Sequence, residues 1–206
     1  LGLTDDRVNA ICPDGDFLWI GTESGVDAIY LPTDSAFSAS SAEVGNARVR
    51  AIAATRDVVW LGTDRGLLRL VKPEAEWVRF DRADGVFSRS VRSLVVHQEH
   101  LYVGMERGIG VIDLSYRDPA RVYEVVDGLP DDNIFDIAVT DSIIWAATRS
   151  GLVRFVPATR ERRVFTMDDG LLAPFVQTIK VDGDYLWLGT ENGANRFRWR
   201  NPERID

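Results

Sequence analysis

One cysteine, two histidines and two methionines are spread over 206 residues. A lone cysteine excludes an internal disulfide framework. Cys12 follows the apolar run Val8 to Ile11, so it is expected to be a buried, inert thiol. His97 and His100 share one turn with Glu99 between them. A turn gives no helical face to align two ligands and no third ligand is in view, so no metal site is assigned. No apolar run approaches the roughly 18 residues of a membrane-spanning helix, and no membrane insertion is expected of this segment. Surplus positive charge is also missing: 24 Lys and Arg stand against 32 Asp and Glu, a net charge of −8. That is the wrong sign for a nucleic-acid partner. No segment keeps a helical period. No secretory leader opens the chain, and Leu1 in place of an initiator Met is read as the mark of a segment upstream.

What is present is a pattern repeated five times. The copies are Leu18-Trp19-Ile20-Gly21-Thr22, Val59-Trp60-Leu61-Gly62-Thr63, Leu101-Tyr102-Val103-Gly104-Met105, Ile144-Trp145-Ala146-Ala147-Thr148 and Leu186-Trp187-Leu188-Gly189-Thr190, each closed three residues later by Gly25, Gly66, Gly108, Gly151 or Gly193. Successive aromatics are 41, 42, 43 and 42 residues apart. A period this regular means one supersecondary unit used repeatedly. Each unit opens with a strand-like run: Val8 to Ile11, Val49 to Ile52, Val91 to Val96, Ile134 to Val139 and Val176 to Val181. A tight polar turn such as Asp14-Gly15-Asp16 or Asp182-Gly183-Asp184 leads into the aromatic strand. A third strand follows the closing glycine. A fourth reads Trp77 to Phe80, Val122 to Val125 and Arg163 to Thr166; in the first copy the serine- and alanine-rich Ala36 to Ala42 takes its place.

Four strands per unit of about 42 residues predict an all-β fold, a β-propeller. Five blades are visible, at about 1–44, 45–84, 85–127, 128–169 and 170–206, in a single domain or part of one. The last blade lacks its fourth strand. The ring is expected either to close on three strands there or, the favoured reading, to belong to a larger ring of six to eight blades.

Gly2-Leu3-Thr4-Asp5-Asp6-Arg7-Val8-Asn9-Ala10-Ile11, running through Asp14-Gly15-Asp16 into Leu18-Trp19-Ile20-Gly21-Thr22, resembles the two-component regulator propeller repeat. The resemblance extends over the whole chain. It implies a sensor propeller of a bacterial signalling system, periplasmic or extracellular, responding to carbohydrate fragments. The family motif holds no catalytic or ligand residue to carry over, and no kinase region is present.

Candidate residues therefore come from the loops. In a propeller, the loops entering each first strand share a face with the turns between second and third strands. That face collects Arg7, Arg89, Asp132, Asn133 and Phe175 from the entries, and Glu23, Asp64, Arg65, Glu106, Arg107, Arg149, Glu191 and Asn192 from the turns. Asp136 joins them, because Ala10, Ala51, Ser93 and Thr178 are its small equivalents; a carboxylate there lines the channel or caps a backbone group. Arginines donate and carboxylates accept, which suits a polar small molecule or an oligosaccharide. No cofactor is called for. The Gly-Thr-x-x-Gly turns lack the lysine and helix of a phosphate loop, and Asp-Gly-Asp lacks the further ligands of a calcium loop. The tryptophans, demanded by every blade but one, are expected to pack between blades rather than stack on a sugar. Two other readings use the same face: a docking platform for another protein domain, anchored by Phe87 or Phe175, and a propeller lyase or hydrolase. No catalytic residue is named, since nothing pairs a nucleophile with a histidine and a carboxylate.

Overall fold

The computed structural model describes residues 2–72, 75–80, 89–115, 122–125 (backbone only) and 133–200. Among these, the strands form five sheets, one per sequence copy, with neighbours in sequence paired antiparallel. The first sheet is β1 (Val8–Asp14), β2 (Phe17–Thr22), β3 (Gly25–Tyr30) and β4 (Ser35–Ser38). The second is β5 (Val49–Ala54), β6 (Val58–Thr63), β7 (Gly66–Val71) and β8 (Glu76–Phe80). β9 (Val91–His97), β10 (His100–Met105), β11 (Gly108–Asp113) and β12 (Val122–Val125) make the third. The fourth holds β13 (Asp136–Thr140), β14 (Ile143–Thr148), β15 (Gly151–Val156) and β16 (Glu161–Phe165). The fifth has β17 (Val176–Asp182), β18 (Tyr185–Thr190) and β19 (Gly193–Arg198), with no fourth strand among the described residues. The chain divides into two compact units, Leu1–Val103 with Gly110–Glu124, and Gly104–Ile109 with Val125–Asp206.

The repeated motif is explained turn by turn. In four copies the threonine hydroxyl donates to the carbonyl of the closing glycine, at 3.1, 2.8, 2.9 and 2.9 Å for Thr22, Thr63, Thr148 and Thr190. The same oxygen accepts the amide N–H of Ser24, Arg65, Ser150 or Asn192. Each closing glycine has φ between 99° and 134°, a region closed to residues with a Cβ. In the third copy Met105 replaces the threonine and is buried. Gly-Thr-x-x-Gly is thus a turn lock.

The glycine before that threonine has a different task. A Cβ on Gly21 would stand 2.5 Å from Val49 Cγ1, and one on Gly62 would stand 2.6 Å from Val91 Cγ1. These valines open the next sheet's first strand, so the missing side chain is what lets sheets one, two and β9 nest. In the fourth sheet Ala147 holds this place beside another alanine, Ala146, and both are buried.

Trp19, Trp60 and Trp145 are 6%, 1% and 0% exposed. Each buries on the order of 200 Å² of surface, which at about 25 cal/mol per Å² is an upper bound near 5 kcal/mol. Three indole N–H groups look five residues back: Trp19 donates to Asp14 at 2.9 Å, Trp145 to Thr140 at 2.8 Å and Trp187 to Asp182 at 3.3 Å. The first aspartate of Asp-Gly-Asp is therefore an indole acceptor as well as a turn former. Gly15 and Gly183 supply the positive φ of 58° and 57°. Among the described residues the buried Trp60 indole N–H has no hydrogen-bond partner.

Three expectations need correction. Cys12 is half-buried beside the first unit's core, with burial pushing its thiol pKa up. Trp187 does not share the packing of the others: it is 42% exposed, with Arg196 at 6.0 Å over its ring. A fourth strand does form in the first sheet, shorter than the run Ala36 to Ala42, pairing Asp27 to Tyr30 with Ser38 to Ser35.

Replacing Gly62 by Val is expected to destabilise the protein by about 1–3 kcal/mol through overpacking, read as a lower urea midpoint. Val91→Ala in the same chain should recover part of that loss. Equal midpoints for Gly62→Val and the parent protein would contradict the nesting account.

Candidate functional site

The repeat register decides which loop residues meet. Arg7, Arg48, Ser90, Asn133 and Phe175 each precede the residue that opens a first strand. In the first unit Arg48 ties two turns together: its Nε lies 2.6 Å from the Glu23 carboxylate, and its backbone N–H donates to Asp64 at 3.0 Å. Glu23 and Asp64 are thus joined through a residue that was not among the candidates. Arg65 is exposed beside them, and its carbonyl accepts from Arg79 at 3.0 Å. Arg7 instead folds onto Asp5, with Nε and Nη2 at 3.2 and 3.0 Å from the two carboxylate oxygens. The guanidinium and its amide N–H, with the Ser24 hydroxyl, hold the Asp5 carboxyl far below the usual carboxylate range. The pair raises the Arg7 pKa in turn. Arg7 is exposed and Asp5 half-buried, so this is a local clasp that water partly screens.

In the second unit the structure brings together Arg149, Phe175 and Phe135. The two rings meet edge to face with centroids 4.5 Å apart, and the Arg149 guanidinium carbon lies 5.5 and 5.3 Å from them. Arg149 is on the β14–β15 turn and exposed; both phenylalanines are half-buried. Phe135 was not a candidate. Its signal was available: at that repeat position the other copies have Asn9, Arg50, Arg92 and Gln177.

Asp136, next along the chain, is occupied by its neighbour sheet. Its Oδ2 accepts the Thr178 hydroxyl at 3.0 Å and the Ile179 N–H at 2.8 Å, and its Oδ1 accepts the Ile137 N–H. The carboxylate therefore clips β13 to β17. Asp27 and Asn195 do related work within their own sheets. Asp27, 1% exposed, accepts the Thr4 N–H and hydroxyl; Asn195, 3% exposed, accepts the Leu172 N–H and donates to the Gly170 carbonyl. Both lie two residues after a closing glycine, where the other copies have Leu68, Gly110 and Val153.

Arg89, Glu106, Arg107 and Glu191 are exposed. Asn133 is half-buried. Asn192 donates to the Leu172 carbonyl at 3.2 Å. Asp132, with Asp131 and Phe87, lies outside the described residues.

Residues 2–24 match the model of the two component regulator propeller. No curated protein matches the chain in sequence. Among solved structures, the extracellular domain of the putative hybrid two component system BT3049 from B. thetaiotaomicron is similar, with a TM-score of 0.78 and 21% identity over 99% of this chain. The chain spans 30% of that structure's length. The computationally designed Ika8 protein (TM-score 0.74, 11% identity, 97% of this chain and 61% of that one) and U3-55K (0.75, 12%, 97% and 63%) share the architecture. The fold class is the β-propeller. Among the described residues no helix is long and apolar enough to cross a membrane.

Two tests follow from these contacts. Asp136→Ala leaves the Ile179 N–H without its acceptor and should cost about 1–3 kcal/mol in urea unfolding; Asp136→Asn, which keeps an acceptor oxygen, should cost less. Asp5, with its folded pKa depressed, contributes stability above the ordinary carboxylate pKa of about 4, lost as pH falls through the folded value. Asp5→Asn should therefore flatten the acid limb of the stability curve and leave its shape above pH 6 unchanged. An unaltered acid limb would remove the clasp from the argument.

Proposed function

We propose that this propeller is the sensor domain of a signalling receptor, placed outside the cytoplasm, and that it takes an oligosaccharide or similar hydroxyl-rich molecule at Arg149, Phe135 and Phe175. The observation that carries this reading is the guanidinium held over two edge-to-face rings. A sugar offers C–H faces to aromatic surface and hydroxyls to fixed donors, and this cluster has both within one side chain's reach. The residues come from three segments: Phe135 and Phe175 immediately precede β13 and β17, and Arg149 sits on a locked turn. Anchoring on strands and locked turns fixes the site before ligand arrives, which lowers the ordering cost of binding. The likeness to an extracellular domain of a putative hybrid two component system supports the sensor role and the location. A protein-docking platform would need an exposed apolar anchor; Phe175 is half-buried against Phe135, which favours the small molecule.

A thermal melt against a panel of neutral oligosaccharides tests this. A ligand at 100 times its dissociation constant adds about 2.7 kcal/mol, a rise of roughly 5–10 °C for a chain of this size. Arg149→Ala and Phe135→Leu should each abolish the rise, and Arg56→Ala should keep it. A rise that survives both substitutions, or none with any sugar, would overturn the assignment.

A further inference from the structure

Three of the first strands carry a β-bulge. In β1, β5 and β17 the pairing with the second strand slips between Val8 and Ala10, Val49 and Ala51, and Val176 and Thr178. The residue at the slip has no partner across the ladder, and a bulge re-aims its side chain. This is also where the copies differ most: Asn9, Arg50, Arg92, Phe135 and Gln177. The residue before it is always Val or Ile, and the second residue after it always Ile or Leu. Packing thus dictates the flanks and leaves the bulge free to be chosen for something else. Just ahead of β13 the residue at this repeat position is Phe135, part of the cluster with Arg149. In the first unit the row reads Asn9, Arg50, Arg92 on β1, β5 and β9, strands that pack side by side.

Arg50 is the informative member. It is half-buried, its Nε is shut off from solvent, and among the described residues it has no hydrogen bond, ion pair or ring contact. Arg69 and Arg154, whose Nε atoms are also buried, differ: Arg69 rests 5.5 Å over the Phe80 ring and Arg154 faces Glu161 at 3.5 Å. A sheltered guanidinium Nε–H with no acceptor, and no counter-charge among the described residues, leaves a donor unmet. This one stands in a chain with eight more acidic than basic residues, where a carboxylate partner would be easy to supply. Arg92 places a second positive charge at the same register position on the adjoining strand, and Asn9 places an amide donor on the other side. No copy puts an acidic residue at this repeat position.

We propose that Arg50, flanked by Arg92 and Asn9, binds an oxyanion group of a small-molecule ligand: a carboxylate, or a sulfate or phosphate ester. The planar fork of arginine matches two oxygens of such a group. This site belongs to the first unit and stands independently of the sugar-binding reading at Arg149.

The test titrates the whole chain by calorimetry and by thermal melt with glucuronate, inorganic sulfate, inorganic phosphate and, as the neutral control, glucose, all in chloride at constant ionic strength. One or more of the anions should bind and raise the melting temperature, and glucose should do neither at this site. Glucuronate against sulfate and phosphate separates a carboxylate preference from a tetrahedral one. Arg50→Met should weaken anion binding by about tenfold or more, the size of a lost charge-assisted hydrogen bond. It should also melt no lower than the parent protein without anion, because it removes a cation that has no partner. Arg50→Lys should bind more weakly than the parent but better than Arg50→Met, and Arg149→Ala should leave anion binding intact. Anion binding unchanged in Arg50→Met, or no binding of any of the three anions by the parent protein, would overturn the proposal. So would an anion-free loss of stability in Arg50→Met that Arg50→Lys restores, since that marks a structural charge.

Discussion

The close approach of one sheet to the next at a glycine is the constraint on which the rest depends. Gly21 and Gly62 have no Cβ because the valine opening the following first strand already occupies that volume. Nesting at this distance brings the apolar faces of adjacent sheets into contact and buries Trp19 and Trp60. Ala147 shows how narrow the tolerance is: the one copy that adds a methyl at this place also has the small Ala146 beside it. Close packing leaves few other solutions, because interiors transmit a misfit of a single methylene.

A second layer of order comes from polar locks that use few residues each. The threonine hydroxyl closes its turn at both ends, accepting one amide and donating to one carbonyl. Asp14 receives an indole N–H and the Lys72 ammonium at once, joining the first sheet to the second. Asp136 does the same between β13 and β17 with two N–H groups and a hydroxyl. These groups satisfy buried or half-buried donors that the strand ladders leave over, and a buried donor left unpaired costs more than a made bond gains. Many of the conspicuous aspartates are therefore structural.

The proposed binding residues stand at positions that neither packing nor these locks specify. The bulge residues are such positions, and so are the residues just before each first strand. Arg48, Arg149, Phe135 and Phe175 all come from these places or from the locked turns. Recognition can change from copy to copy there without disturbing the repeat, which is the usual division of labour between a scaffold and its loops.

The period of about 42 residues, the aromatic strand and the closing glycine determined the fold class, the strand order and the turn positions. Each is a local rule of backbone geometry that repeats, so five copies report it five times. Phe175 and Arg149 were legible as candidates for the same reason. Their meeting with Phe135 was not, because it joins three segments that are separate in sequence. Arg48 escaped because its ion pair crosses from one copy to the next. Asp27 and Asn195 stand where other copies have Leu, Gly or Val, a signal the repeat held but did not explain. Trp187 and Trp145 occupy the same motif position, yet one is exposed and the other buried. Contacts between copies are set by which surface lies against which, and that only the tertiary structure decided.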